Sequence, residues 1–346
     1  MQLSAANLKP LIKNAESKEI KNKYIAALIL KSILCLLFCT IVVISFGKVF
    51  GEENNVVGVV TVISLLNFRF SNLDFKVRQA ALTIVGIFGV LSISPYIASI
   101  SNPFLGFIIN FISIIGILIL TCHNVRLCNH SILVLSYFLL YGYKVENTEI
   151  LINRIIGLIF GGILVASIFY IKQRKIEFKN TFIDIINDVD FNTERTKWQL
   201  KFAFVTTSAI MIGEFLHIPR AMWIGIACMS VFHPDKSQLQ IRYKQRMLYM
   251  VLGCLMYMSI YFLIPQQFRG LIGLIGGVMI GFSGTYKWQT VFNAFGALSA
   301  ATPILGVGGA IIFRILNNVF GALYSKGFDY IINFIDNKEF TNVNEA

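Results

Sequence analysis

Four basic residues stand inside, or at the edges of, long apolar stretches: Lys31, Arg154, Lys201 and Arg314. A cation in the apolar part of a membrane is costly and is by default a candidate for function. Unpaired cations that face a water-filled interior would attract a carboxylate, which an arginine binds through two parallel hydrogen bonds. The chemistry that these residues suggest is therefore the recognition of an organic anion.

Each of the four also has a structural interpretation. Lys201 follows Trp198 at the start of an apolar stretch, where a long side chain reaches back to the membrane interface. Arg154 begins its stretch, which also favours an interfacial position. Lys31 lies deeper, and both interpretations stay open for it. Arg314 lies several residues inside its stretch and is the strongest candidate for a substrate pathway.

Two further groups of residues suggest weaker possibilities. Glu214 and His217 are three residues apart near the end of an apolar stretch, and histidine titrates near neutral pH, so a proton relay is possible. Two polar residues at a helix end are the simpler explanation, and we favour it. Four potential metal ligands fall within nine residues, but their spacing fits no usual zinc pattern, so no metal site is predicted; they are Cys122, His123, Cys128 and His130.

The sequence contains no motif of a nucleotide-binding or hydrolytic enzyme. There is no P-loop, no G-x-S-x-G, no dinucleotide-binding glycine pattern and no H-E-x-x-H. These motifs carry the chemistry of many ATPases and membrane hydrolases. We therefore predict that the protein is not an enzyme and uses no cofactor.

The composition is that of an integral membrane protein. Hydrophobic residues make up 56% of the 346 residues, charged residues 14%, and the mean hydropathy is +0.69. Soluble domains carry about 25% charged residues. The net charge of +12 could suggest nucleic acid, but the cations lie between apolar stretches and no nucleic-acid-binding motif is present, so we predict no nucleic-acid partner.

The apolar stretches predict about twelve transmembrane helices in an all-α bundle. The predicted spans form two groups of six, at residues 24–171 and 198–325. Polar segments precede, separate and follow these groups, at residues 1–23, 172–197 and 326–346. An apolar stripe in 172–197 predicts a short amphipathic helix at the surface. The twelve spans are residues 24–46, 56–67, 79–98, 103–120, 131–143, 154–171, 198–216, 221–232, 247–264, 270–284, 288–301 and 308–324.

Two features of these spans leave alternatives open. Spans 56–67 and 221–232 are short and occupy matching places in the two groups, as segments that form a substrate site in transporters do. Alternatively, each span extends into its loop. Residues 301–309 form either a loop or a broken helix.

Basic residues recur at similar offsets in the two groups. Lys31 and Lys201 are 170 residues apart, Arg78 and Arg246 are 168 apart, and Arg154 and Arg314 are 160 apart. In each group, the arginine of the last pair is followed seven residues later by a glycine, which gives the pattern R-x6-G. These offsets predict two parallel six-helix repeats that arose by duplication.

The distribution of charge predicts the orientation. With the N-terminus inside, 22 of the 30 basic residues fall in cytoplasmic segments and four in external ones. Lysine and arginine are retained in short cytoplasmic loops. We expect both termini to be cytoplasmic and the protein to lie in the plasma membrane.

One pattern resembles a known family. It is a tryptophan-containing apolar span, a proline, a basic connector and then R-x6-G, represented by Trp223, Pro234, Arg246 and Gly253. Over residues 198–325 it resembles the fusaric acid resistance family, which is similar to the aromatic acid exporters and, more distantly, to aluminium-activated malate transporters. The resemblance implies six helices per half and a pathway for organic anions or aromatic carboxylic acids. Arg78 and Arg246 are expected at the cytoplasmic edge, where lipid phosphate explains them without a substrate.

Three functions remain compatible with the sequence. The first, which we favour, is the export of organic or aromatic carboxylate anions. The second is a passive anion channel, and the third is a membrane scaffold or subunit that transports nothing. The expected partners are the lipid bilayer and a small organic anion, with a homo-oligomer or a partner subunit as further possibilities.

Overall fold

The computed structural model describes residues 5–127 and 129–344, and within them every regular element is helical. Each of the twelve predicted spans overlaps a helix, so the predicted all-α membrane bundle is confirmed. The helices are α1 Ala5–Lys13, α2 Lys18–Phe50, α3 Asn55–Phe68, α4 Val77–Ile100, α5 Pro103–Thr121, α6 His130–Gly142, α7 Thr148–Gln173, α8 Phe182–Asn187, α9 Glu194–Phe215, α10 Met222–Val231, α11 Lys236–Leu263, α12 Leu271–Phe282 and α13 Tyr286–Asn344.

Short polar residues define where many of the helices begin. Ser17, Asn102, Asn147 and Thr193 accept a hydrogen bond from a backbone N–H in the first turn of α2, α5, α7 and α9, respectively. Asp235 caps α11 in the same way. Such caps satisfy N–H groups that have no partner inside the helix.

Six helices of the described chain are long and apolar enough to cross a membrane: α2, α4, α5, α7, α11 and α13. In α2 only 11% of the most apolar window is buried, so most of its apolar surface faces outward. A soluble protein would not expose a helix of this kind, whereas lipid solvates it. The chain is a multi-pass membrane protein.

Helix α13 is a hairpin of two antiparallel arms. Its backbone is non-helical at Gly306, where φ is 68° and ψ is 164°, values that favour glycine. We call residues 286–305 arm A and residues 307–344 arm B. Arm B stays helical through Asn344, so the polar tail predicted from residue 326 onward is a helical extension of the last span.

The contacts with α11 establish the direction of each arm. Along arm A, Trp288 packs on Tyr249 and Thr302 bonds to Tyr257, so arm A runs parallel to α11. Along arm B, Asn318 bonds to Arg246, and Lys326 lies over the ring of Tyr243, nearer the start of α11, so arm B runs antiparallel to it. The break in 301–309 is therefore the apex of a helical hairpin, which separates spans eleven and twelve.

The short helices are enclosed by the long ones. Helix α10 has ten residues, about 15 Å of rise, whereas the apolar core of a membrane is about 30 Å thick. Asparagine side chains bind backbone carbonyl groups in connectors and at a helix end beside such helices. Asn317 donates to Pro219 and Arg220, and Asn129 donates to Asn72 and Thr121. Irregular backbone is tolerated at membrane depth only where protein groups satisfy it in this way.

Two opposite ends of the bundle can be distinguished. We call the end that carries connectors 69–76 and 232–235 and the linker between α7 and α9 the linker end, and the opposite one the far end. The linker is held at Asn180, which bonds to Asp74 and Lys76. The predicted amphipathic helix is shorter than expected, because α8 contains only six residues between polar turns. Its side chains Thr181 and Asp184 form a reciprocal cap.

The two halves repeat one packing arrangement. Gly161 of α7 approaches Thr61 of α3 so closely that a Cβ would overlap the threonine hydroxyl. Gly321 of arm B approaches α10, where a Cβ would lie 2.5 Å from the carbonyl oxygen of Ile224. The glycine of each R-x6-G pattern therefore brings the last helix of its half against the second, as a duplication would produce.

Candidate functional site

The side chain of Asn318 bonds to two buried arginines, to the guanidinium of Arg246 and to the backbone of Arg314. Arg246 of α11 donates from Nε at 3.0 Å and from Nη2 at 2.7 Å to the side-chain oxygen of Asn318 on arm B. Asn318 donates from Nδ2 to the backbone carbonyl of Arg314 at 2.7 Å. Arg246 and Arg314 are each only 4% exposed. We call these two residues the arginine pair.

The arginine pair has no acidic partner within the described part of the chain, where every ion pair involves other residues. The Nε of Arg314 is buried and, among the described residues, without a hydrogen-bond partner. Its guanidinium lies over the Trp223 ring, 4.8 Å from the centroid. A desolvated cation–π contact contributes about 2 kcal/mol, whereas burying an ion costs several kcal/mol. An anion bound here would offset part of that cost.

A closed crevice, too narrow to hold a water molecule, lies beside Arg246 between α11 and arm B. Apart from the polar groups of Arg246 and Asn318, its lining is apolar. The other lining residues are Met247, Met250, Val251, Ile315 and Val319. The lining combines one charged group with an apolar surface, but the crevice has no room for a ligand while Asn318 bonds to Arg246.

The R-x6-G pattern explains how the arginines become buried. Residues seven apart lie on the same face of a helix. A Cβ on Gly253 would lie 2.6 Å from the carbonyl oxygen of Val291 on arm A, so α11 and arm A approach closely. Gly321 gives the same close approach between arm B and α10. The glycine lets the two helices pack closely. The arginine two turns earlier lies on the same helix face and is therefore buried between them.

Arg246 does not lie at the edge of the bundle, as the sequence led us to expect. It stands three turns into α11 and bonds to a buried side chain, so lipid phosphate does not explain it. Arg78 is exposed in the first turn of α4, in agreement with the expected edge position. The two arginines of this predicted pair therefore have different surroundings, because α11 begins with polar residues that place Arg246 deeper.

Arg154 occupies the position in α7 that Arg314 occupies in arm B, but its surroundings differ. It is 3% exposed, so it is not interfacial as expected. Its Nε donates to Asn54 at 3.0 Å, and its Nη1 donates to the carbonyl of Tyr143. Asn54 in turn donates to Phe50 and Ile150. Neutral oxygens thus bind the Arg154 guanidinium, which joins three segments at the far end.

The two lysine candidates lie apart from the arginine pair. Lys31 is half-buried in α2, one turn before Cys35. Lys201 is half-buried near the start of α9, at the linker end, where a side chain can reach the interface. Their part in a pathway stays a prediction.

Glu214 and His217 belong to the far end, where α9 stops. The helix ends at Phe215, and His217 is exposed with φ of 52°, so the two residues are not stacked on one helix as expected. Glu214 lies near the hydroxyl of Tyr141. A proton relay through these residues stays a prediction.

Pro234 lies in the exposed connector between α10 and α11. Next to it, Nδ1 of His233 accepts the N–H of Asp235 at 3.1 Å. Burial, and then the charge of Arg242, lower the pKa of His233, so its neutral form is favoured near neutral pH. Trp223, in contrast, is fully enclosed in α10.

Of the four potential metal ligands, three contact residues that are not metal ligands or are simply buried. The fourth, Cys128, lies outside the described residues. His123 contacts Arg195 at 3.0 Å, while His130 packs edge-on against Trp198. Cys122 is buried. Within the described chain, no cluster of three ligand-type residues is present.

The part of the chain from the middle of α9 through arm B contains every residue of the arginine pair and its surroundings. Residues 208–325 match the model of the fusaric acid resistance protein-like family. The resemblance expected for 198–325 is therefore confirmed over this part of the chain. No curated protein and no solved structure matched the chain significantly.

The fusaric acid resistance match covers about a third of the 346 residues and contains the pattern from Trp223 to Gly253. It includes Arg314 and Gly321, whereas Arg154 and Gly161 lie outside it. The family is one of membrane transport, which agrees with the multi-pass helical bundle. The similarity to aluminium-activated malate transporters stays a prediction.

Sequence reasoning missed the asparagines. Asn318 and Asn317 on arm B, and Asn54 before α3, bind the groups that order the site and the short helices. A signal was available, because tandem asparagines inside an apolar span are expensive unless protein groups satisfy them. Their partners lie 72 to 100 residues away and could not be identified from the sequence.

Proposed function

We propose that this protein is a membrane transporter that exports organic or aromatic carboxylate anions through the plasma membrane, with the arginine pair as its anion site. The observation that carries the proposal is the burial of Arg246 and Arg314 without an acidic partner in the described chain. Ionisable groups in this setting mark substrate pathways. The match to the fusaric acid resistance family supports transport as the general class.

The geometry favours a carboxylate. A guanidinium presents parallel N–H donors that match two carboxylate oxygens. The adjoining crevice is closed in this structure, and its methionine and aliphatic side chains would contact the apolar part of a substrate if α11 and arm B moved apart. Trp223 covers Arg314 from the α10 side and keeps that face of the cation away from water.

The proposed orientation places both termini and the linker end in the cytoplasm. It is supported by the concentration of basic residues in segments of that end. The substrate would then enter from the cytoplasm. The Glu214 side chain is half-buried at the far end and is a candidate for proton coupling.

The test is flux in proteoliposomes that contain the wild type, Arg314→Gln or Arg314→Lys. Aromatic and aliphatic carboxylates would be compared with and without a pH gradient. We expect saturable carboxylate flux that Arg314→Gln reduces at least tenfold and Arg314→Lys reduces less, because lysine keeps the charge but lacks the planar fork. Arg78→Gln removes an exposed cation and serves as the matched control.

The outcomes separate the three functions. Flux against the substrate gradient that is driven by the pH gradient supports a coupled exporter, while flux only down the gradient indicates a channel. Equal flux in wild type and in folded Arg314→Gln would exclude Arg314 from the pathway. Absence of flux for every anion, with a well-folded wild type, would contradict transport and favour a scaffold or a missing subunit.

A further inference from the structure

Asn318 fills the position at which an anion would bind Arg246. Its single side-chain oxygen accepts from both Nε and Nη2, at 3.0 and 2.7 Å. These two donors form an edge of the guanidinium that binds a carboxylate through parallel hydrogen bonds. A carboxylate would bring two oxygens and a negative charge, whereas the amide brings one neutral oxygen.

The hydrogen bonds determine the orientation of the amide. The oxygen faces the donors of Arg246, and Nδ2 donates to the Arg314 carbonyl at 2.7 Å. A flipped amide would place N–H groups against the cation and turn its oxygen toward the Arg314 carbonyl, which is also an acceptor. The side chain therefore has one satisfied arrangement, in which it links the two residues of the arginine pair.

This arrangement leaves the charge of the site uncompensated. The oxygen of Asn318 satisfies donors of Arg246, but it carries no formal charge. The Nε of Arg314 remains buried and, within the described chain, without an acceptor. Arg246 and Arg314 also carry the same positive charge, and like charges repel each other. A neutral group thus keeps the site closed without removing the attraction for an anion.

We infer that Asn318 is a tethered competitor of the substrate: it occupies the Arg246 part of the anion site and leaves when a carboxylate enters. This inference rests on the proposed function and adds to it the group that is displaced. It also accounts for an amide at this position, because a permanent carboxylate would neutralise the site.

The neighbouring Asn317 provides a matched control. It is also a buried amide on arm B, but its Nδ2 donates to the carbonyls of Pro219 and Arg220 at 2.9 and 3.1 Å. Its removal therefore perturbs the same arm without vacating the edge of Arg246.

The test is benzoate binding to the full chain in nanodiscs, measured by calorimetry, together with the melting temperature of each variant. Asn318→Ala is expected to bind benzoate about tenfold more tightly than the wild type, because the anion no longer displaces a hydrogen-bonded amide. Asn318→Asp is expected to lose binding and to melt above both Asn318→Ala and the wild type, because its carboxylate supplies the missing countercharge. Asn317→Ala should bind benzoate as the wild type does.

The inference and the proposed function fail in different ways. Unchanged or weaker benzoate binding by a folded Asn318→Ala, with binding lost in Arg314→Gln, would overturn the competitor role but keep the anion site. Equal binding by wild type and Arg314→Gln, or no binding by any variant, would overturn the anion site. The melting order tests Asn318 in every case, because an Asn318→Asp that melts below Asn318→Ala would show that the position does not accept a negative charge.

Discussion

At the scale of single residues, the same side chain has different roles in the two halves. Arg154 and Arg314 occupy corresponding turns of α7 and arm B, and both are buried. Arg154 donates to two neutral oxygens, whereas the Nε of Arg314 has no acceptor in the described chain. A satisfied guanidinium stabilises the fold, and an incompletely satisfied one retains affinity for a ligand.

This difference predicts separate effects on stability and flux. Arg154→Gln should destabilise the protein by about 2 kcal/mol or more, because it leaves Asn54 and the Tyr143 carbonyl without their donor. The flux per folded molecule should fall much less than in Arg314→Gln. Melting temperatures in detergent, with exposed Arg78→Gln as the control, would measure the first effect. An Arg154→Gln that melts like the wild type but transports nothing would place Arg154 in the pathway instead.

At the scale of helices, the architecture depends on close approaches at a few glycines. In α11 and arm B, the glycine of the R-x6-G pattern faces backbone of a neighbouring helix. In α4, Gly86 has no atom within 4 Å of where a Cβ would lie. Glycines therefore contribute differently to helix packing, because only those at helix contacts determine the distance between helices.

Alanine substitutions should separate these two kinds of glycine. Gly321→Ala should lower the melting temperature, because its Cβ would lie 2.5 Å from the Ile224 carbonyl oxygen and arm B would have to move away from α10. Gly86→Ala should leave the melting temperature unchanged or raise it, because alanine favours helix by about 1 kcal/mol over glycine. Differential scanning fluorimetry of the two variants is sufficient. Equal melting temperatures would show that arm B and α10 pack less closely than the structure indicates.

At the scale of the whole molecule, the topology depends on the turn at Gly306. One helix of 59 residues becomes two arms on α11, one parallel and one antiparallel to it. This turn gives the second half six helices and returns arm B to the linker end. It also brings Asn318 back to Arg246, so the site exists only because the chain reverses.

The hairpin predicts an accessible apex. A cysteine introduced at Gly308, where no atom lies within 4 Å of a Cβ, should react with a membrane-impermeant maleimide added outside intact cells. The native cysteines would first be replaced, and a cysteine in the linker, at the exposed position Lys175, would be the control that reacts only after permeabilisation. Labelling of position 308 only from the inside would contradict the orientation, and no labelling from either side would contradict an exposed apex.

The sequence by itself determined where the apolar helices of this protein lie along the chain. Every predicted span overlaps a helix, because a membrane requires each spanning segment to satisfy its own backbone and to be long and apolar. Those are local properties that hydropathy records. The position of Arg314 well inside its span likewise made it a candidate, and the pattern from Trp223 to Gly253 indicated the family, before any contact was known.

Only the tertiary structure decided which polar groups meet. Arg246 was expected at the edge, but the length of the polar start of α11 and the return of arm B bury it against Asn318, 72 residues away. Arg154 was expected at the interface, but Asn54, 100 residues away, binds it inside. Burial and hydrogen bonding depend on the register between distant helices, whereas hydropathy reports only the preference of each segment for lipid.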